Sequence, residues 1–201
     1  MCVDSRRDYW EYYKPIATFG PKKCIKNTQH LQDAMDEIAL APNNTALLPT
    51  LKQLFGLEDV TSTPDFMSII SQTSLIQSTN WDPAVSYDGF YQYCDLLTNN
   101  TDVYGLAPTK GDQVKQILTA GGYSDQLANL TNPMLNWVGF VNDTEVYPCT
   151  SEGETTDECF SSQNATFYQQ DDISQTWRSW PYQYCTVSPF PCHFFGGVTP
   201  N

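Results

Sequence analysis

The 201-residue chain is long enough to bury one sizeable core, and its 40% hydrophobic and 13% aromatic content is too apolar for a disordered segment. Ten Lys and Arg against 23 Asp and Glu leave a net charge of −13, which repels phosphate backbones and anionic membrane surfaces, so neither nucleic acid nor a membrane is expected as a partner. The same charge is partly neutralised in acid, which suits a protein working at low pH.

Ser5 to Tyr13 is aromatic and charged with helical character, ended by Pro15, and Gly20-Pro21 then marks a break. In Cys24 to Leu40, the residues Leu31, Met35, Ile38 and Ala39 fall at i, i+4, i+7 and i+8, the spacing of an amphipathic helix. His30 lies beside that stripe and reads as a surface or partly packed residue rather than a base or ligand. Pro49 to Phe55 repeats the pattern through Leu51, Leu54 and Phe55, with Pro49 suited to a first helical position and Gly56 placed as a C-terminal stop. A short helix is expected around Pro64 to Ser71, and an ordered loop at Asn80 to Val85. Gly89 to Leu97 is expected to be helical and partly buried through Phe90 and Cys94, ended by Asn99-Asn100.

Lys110 to Ala120 and Asp125 to Val141 give two more helices, separated by Gly121-Gly122. The second carries Leu130, Met134, Leu135, Val138 and Val141 on one side, with a predicted kink at Pro133. Asp143 to Gln163 is polar and acidic and reads as a surface loop closed by a short disulfide, Cys149 and Cys159 being ten residues apart. Asn164 to Thr186 crowds two Trp, three Tyr, a Phe and a Cys into one stretch; such a cluster closes a core or lines a pocket mouth. Asp171, Asp172 and Ser174 are N-cap residue types for a helix there, which Pro181 bends or restarts. The sum is a mostly α bundle of about six helices with long, disulfide-tied loops.

Seven cysteines stand at positions 2, 24, 94, 149, 159, 185 and 192, with no Cys-x-x-Cys and only His30 and His193, so zinc-ligand spacing is absent. Glycosylation signals occur at Asn43, Asn99, Asn129, Asn142 and Asn164. Together these point to the secretory pathway and an extracellular location. The N-terminal MCVDSRRDYWEYYKPI nonetheless has no continuous apolar region and no small-residue cleavage site, and the cysteine count is odd. The expectation is an excised or truncated piece whose signal peptide is absent from this fragment.

The serine nucleophile of an α/β-hydrolase sits on a strained Gly-x-Ser-x-Gly elbow between strand and helix. That string is missing; the nearest, Gly122-Tyr123-Ser124-Asp125-Gln126, lacks the second Gly, and Ser124 reads as an N-cap. His193 adjoins Cys192, and neighbours in sequence cannot easily face each other as base and nucleophile, so a disulfide or free thiol is expected there. The acidic pairs Asp171-Asp172 and Asp157-Glu158 read as solvated or capping groups. No metal, phosphate or cofactor motif is found, and no catalytic residue is assigned.

Several segments, in order, carry a family resemblance. YWEYYKPI at 9 to 16, PKKCIKN at 21 to 27, LKQLFGLEDV at 51 to 60, NWDPAV at 80 to 85, FYQYCDLL at 90 to 97 and, most specifically, ATFYQQDDISQTWRSWPYQYCT at 165 to 186 are involved. The chain resembles the helical cap (lid) domain of secreted serine peptidases of the prolylcarboxypeptidase and dipeptidyl-peptidase II type, particularly fungal members. The likeness spans roughly residues 5 to 186. It implies a cap domain at 1–186 inserted in an α/β-hydrolase parent, whose catalytic serine lies upstream of residue 1 and whose aspartate and histidine lie beyond residue 201. By the same resemblance the cap gates proline-containing peptides, and Trp180, Tyr182 and Gln183 contribute to the substrate chamber.

Two departures bear on that reading. Dipeptidyl-cleaving relatives are expected to hold the substrate's amino terminus with an acidic cap residue, whereas Pro181 stands here between Trp180 and Tyr182, which favours a carboxypeptidase or endopeptidase. After Thr186 the family continues with an acidic residue and Trp-Gly, but residues 187–201 diverge and are expected to be disordered or a truncation artefact. By position Cys24 pairs with Cys94 and Cys149 with Cys159, leaving Cys2, Cys185 and Cys192 open. The leading expectation is therefore a peptidase fragment, inactive by itself, that needs the missing hydrolase portion. The alternative is a stand-alone secreted acidic glycoprotein acting as a peptide-binding or interaction module.

Overall fold

A computed structural model describes residues 18, 20–40, 45–74 and 89–162. The chain divides into two compact units, Pro21–Ser161 and Met1–Gly20 with Ser162–Asn201. The architecture that follows is that of the first. Its described residues form helices α1 (Lys22–Leu40), α2 (Leu48–Phe55), α3 (Thr63–Ser74), α4 (Gly89–Thr98), α5 (Ala107–Ala120), α6 (Leu127–Val141), α7 (Tyr147–Ser151) and α8 (Thr156–Phe160), and no strand. The mostly helical expectation is met; the segments expected at Ser5 to Tyr13, Asn80 to Val85 and Asn164 to Thr186 lie outside the described residues.

α1 starts directly after Pro21 and buries Cys24, Asn27, Leu31, Ala34, Met35, Ile38 and Ala39, a single stripe at helical spacing. α6 is different: from Met134 to Val141 every residue is buried, including Asn136 and Gly139. A helix apolar all round belongs in the middle of a bundle, and α6 indeed packs against α1, α2, α4 and α5. Around it the aromatics interlock, Tyr93 meeting Trp137 edge to face at 5.6 Å and Phe140 at a tilt at 6.0 Å, with Phe55 edge to face with Phe66 at 6.2 Å. The Tyr93 hydroxyl shares a 3.0 Å hydrogen bond with Thr28, so this buried ring keeps a polar partner, and burial pushes its phenol far up.

α2 ends as its sequence predicts. Gly56 takes φ +69°, its N–H donates to Gln53 O, and Leu57 N–H donates to Lys52 O, the paired bonds of a left-handed C-terminal stop. A second device fastens this stop to the central helix: Asn142, just after α6, donates to Phe55 O at 3.2 Å and to Val138 O at 2.8 Å. A Cβ on Gly56 would come within 3.0 Å of Asn142 Oδ1, so both left-handed backbone and space ask for glycine. Close approach also fixes the α1–α5 crossing, where a Cβ on Gly121 would lie 2.6 Å from the Ala34 Cα.

The last turn of α4 leaves carbonyls that its own helix cannot satisfy. Other helices supply the donors. Asn27 of α1, buried, donates to Leu97 O at 2.7 Å; Lys23 donates to Thr98 O at 2.8 Å; Asn136 of α6 donates to Leu96 O at 3.0 Å. Asn136 also donates to Thr101 O at 2.9 Å and accepts from Val103 N at 2.8 Å, which holds the α4–α5 connection against the bundle. Beside these bonds Cys24 is joined to Cys94 with a Cα separation of 5.1 Å, the pairing expected.

Two expectations are corrected here. Residues 143–160 are not a surface loop: α6 runs on through a π-helical turn (Asn142–Val146) into α7, and a turn at Gly153 leads to α8. The polar residues that suggested a loop instead bond back onto the helix, Thr144 Oγ1 to Phe140 O and Thr150 Oγ1 to Val146 O. The Cys149–Cys159 bridge, Cα separation 6.1 Å, closes a helical hairpin. Ser124 is not a capping residue either; it opens a short 3₁₀ turn (Ser124–Gln126) with no side-chain capping bond at its start.

Replacing Asn136 by Ala removes three hydrogen bonds at the α4–α5 connection, while Leu96 O keeps a bond from Asn99 N at 3.3 Å and Thr101 and Val103 lie exposed to water. At about 0.5–1.5 kcal/mol net for each hydrogen bond whose partners can turn to water, urea titration should show a loss of roughly 1.5–4 kcal/mol; a change under about 0.5 kcal/mol would mean the hub carries no weight. Replacing Cys24 and Cys94 by Ser should lower stability by about 4 kcal/mol on the chain-entropy account of a loop this long, read as a fall in Tm without reductant and no further fall of comparable size when reductant is added.

Candidate functional site

Where α1 and α5 touch at Ala34 and Gly121, the chain turns into Tyr123. The Tyr123 ring lies 5.0 Å from the His30 ring, and its hydroxyl donates to Asp33 Oδ2 at 3.3 Å. Asp33, Glu37, Ala120, Gly121, Gly122 and Tyr123 thereby border a depression of about 530 Å³, wide open to solvent. Burial, and then the Asp33 charge, push the Tyr123 phenol up, so it stays protonated and donating at neutral pH. With two carboxylates on its rim, this depression suits cationic groups and hydrogen-bond donors; it offers no activated nucleophile.

A seryl hydrolase would need a hydroxyl aimed at an imidazole from a strand-to-helix elbow. Among the described residues there is no strand to build one. Ser124 is exposed between α5 and α6, and His30 is half-buried against Tyr123, a packed residue as its sequence position suggested.

The acidic pair Asp157-Glu158 is structural, as expected of a capping pair. Thr155 Oγ1 accepts from Glu158 N at 3.2 Å while Glu158 Oε2 accepts from Thr155 N at 2.8 Å, a reciprocal cap on α8. The spacing Thr155-x-x-Glu158 was present in the sequence and identifies this helix start. Asp157 Oδ1 accepts from Thr61 N at 2.9 Å and from Thr61 Oγ1 at 3.2 Å, which ties the hairpin to the segment before α3. Asp157 also lies near buried Lys52, whose ammonium donates to Val60 O at 2.6 Å; burial lowers the Lys52 pKa and the Asp157 charge opposes that shift.

Cys149, Glu154 and Cys159 are clustered closely enough for metal ligands. Both sulfurs are bonded to each other, however, and a cystine offers no thiolate, so the cluster is not a metal site while the bridge stands.

Of the residues assigned to a substrate chamber, Trp180, Tyr182 and Gln183 lie outside the described residues, as do Asn43, Asn164, Cys2, Cys185 and Cys192. The glycosylation signals at Asn99, Asn129 and Asn142 are described: the first two asparagines are exposed, while Asn142 is half-buried beside Phe55. Tyr123 and the buried Asn27 and Asn136 were not singled out by sequence reasoning.

Over 178 residues the chain is 36% identical to the "Probable extracellular serine carboxypeptidase" of Arthroderma benhamiae (strain ATCC MYA-4681 / CBS 112371). The chain is similar to part of a serine carboxypeptidase. The match covers 89% of this chain but 25% of that protein, so the chain spans about a quarter of the length of the curated relative it matches. No family profile and no solved structure matches the chain.

Hydrogen bonds from the Thr155 backbone and side chain hold the Glu158 carboxyl below its ordinary value of 4.5. A depressed folded-state pKa means the capping contribution is complete above that value and is lost as the pH falls through the lower, folded-state value. Glu158→Gln should therefore be less stable than the parent near neutrality, with the gap between the two narrowing from about pH 4.5 downward. Thermal melts from pH 7 to 3 measure this, and a gap that stays constant would remove the ionised carboxylate from the cap.

Proposed function

We propose that this chain is the helical lid portion of a secreted serine-type carboxypeptidase, with the reaction centre carried by residues outside it. The observation that carries the reading is the combination of a helical, strand-free unit, among the described residues, with 36% identity to a quarter of a protein named as an extracellular serine carboxypeptidase. A lid needs rigidity and a shaped surface, not a nucleophile; the fold described above meets the first need with two cystines and long-range polar bonds. Secretion is supported by the word extracellular in the relative's name, by the cystines, and by the finding that no helix among the described residues is long and apolar enough to cross a membrane.

Within that reading the substrates are peptides with proline at the cut, and Trp180, Tyr182 and Gln183 contribute to the chamber that receives them. Aromatic walls suit the flat apolar ring of proline, and the Gln amide offers both a donor and an acceptor to the peptide backbone. The α/β-hydrolase portion of the parent is then the structural partner.

The purified 201-residue chain should neither turn over fluorogenic proline peptides nor react with a fluorophosphonate probe; labelling accompanied by turnover would place the nucleophile here and overturn the reading. Installed in the Arthroderma benhamiae relative in place of its matched quarter, the chain should support carboxypeptidase activity. There Trp180→Ala should lower kcat/KM for proline substrates by about tenfold or more, the scale of a lost apolar pocket contact.

A further inference from the structure

Three signals for N-linked glycosylation fall on described residues, and the fold treats them unequally. At Asn99 the side chain is exposed just past the end of α4. Its Oδ1 accepts from Thr101 N at 2.9 Å and from Thr101 Oγ1 at 2.8 Å. These two bonds hold the amide oxygen on the N–H and hydroxyl of Thr101 in its own signal, with the amide nitrogen on the opposite side of the group. At Asn129, in the first turn of α6, the side chain is exposed, whereas its neighbour Leu130 is buried.

Asn142 is the contrary case. Its amide nitrogen has two hydrogens, and both are engaged, one to Phe55 O and one to Val138 O. Its oxygen stands 3.0 Å from the place a Cβ on Gly56 would occupy. The threonine hydroxyls do not separate the two helical signals, Thr144 donating to Phe140 O and Thr131 to Leu127 O alike. A sugar on the Asn142 nitrogen removes a hydrogen bond from the joint between α2 and α6 and places a bulky polar group within it.

We propose that Asn99 and Asn129 are N-glycan attachment sites and that Asn142 remains unmodified in the folded protein, its amide serving as the α2–α6 fastener. The inference rests on the secretory reading above. In the transfer, the amide nitrogen of Asn99 or Asn129 attacks C1 of a lipid-diphosphate-linked oligosaccharide; the new N–C1 bond forms, the C1–O bond breaks, the lipid diphosphate leaves, and one amide proton passes to a base of the transferase. At Asn142 the same transfer, if made before folding, yields a chain that cannot complete this joint and is retained rather than secreted.

The full chain is expressed behind a heterologous secretion leader in a eukaryotic host, so that it meets the transferase whatever its native route. Empty sites then bear on the sites, not on secretion. The secreted protein is treated with peptide-N-glycosidase F in ¹⁸O-water, which marks each formerly glycosylated Asn as ¹⁸O-Asp, and is mapped by mass spectrometry. The expected result is a mark at Asn99 and Asn129 and none at Asn142. Marked Asn142 overturns the proposal, as does an unmarked Asn99 or Asn129. Gel mobility of nascent chains in microsomes gives a readout independent of folding for the outward pair: Thr101→Val and Thr131→Val should each remove one glycan step, and a retained step contradicts the assignment. In the secreted product Thr144→Ala, which destroys the third signal without touching Asn142, should leave the glycan number unchanged; loss of a step there also overturns it.

Discussion

The architecture depends on how the C-terminal end of α4 is satisfied. Three consecutive carbonyls, of Leu96, Leu97 and Thr98, receive donors from Asn136, Asn27 and Lys23, which lie on two other helices. The Leu97 bond is buried and the Thr98 bond exposed, while Leu96 O also accepts from Asn99 N at 3.3 Å, so the Asn27–Leu97 bond is the one whose loss leaves a buried carbonyl unpaired. The Cys24–Cys94 bridge sits in the same junction and holds α1 to α4 when thermal motion would separate them. Polar bonds thus select one arrangement of helices that apolar packing alone would allow to slide.

The same logic recurs at the other end of α6. Asn142 completes the stop of α2, and Lys110 of α5 donates to Leu54 O at 2.6 Å, so the end of α2 is held from two sides. Burial lowers the Lys110 pKa, and the nearby Glu58 charge offsets part of that. A unit fastened this way keeps the shape of its surface.

Much of this was legible in the residues. Local periodicity foretold α1, α2 and α6, and Gly56 foretold the left-handed stop, because those signals lie within a turn or two of their effect. The segment 143–160 misled because Thr144 and Thr150 look like loop formers, yet each bonds to a carbonyl four residues back and leaves the helix intact. The buried asparagines were illegible for another reason: Asn27 bonds 70 residues away, and Asn136 bonds 33 to 40 residues away, with no local mark of the partner. The depression beside Tyr123 was likewise invisible, since Tyr123 and Asp33 are 90 residues apart in sequence. Cysteine pairing fared better, both predicted bridges being present, whereas the aromatic tract with Trp180, Tyr182 and Gln183 lies beyond the described residues.

The hairpin of α7 and α8 is a contrast within the fold. Its cystine closes a ring of only ten residues, so it restrains the hairpin itself and does nothing to anchor it to its surroundings. Its polar attachment through Asp157 to Thr61 is exposed, and the flanking Tyr147, Pro148 and Glu152 face water. Elements whose attachments are exposed open at smaller free energies than a packed core. A protease reaching the exposed residues 150–155 would cut inside the ring, and the Cys149–Cys159 bridge would keep the two new ends joined.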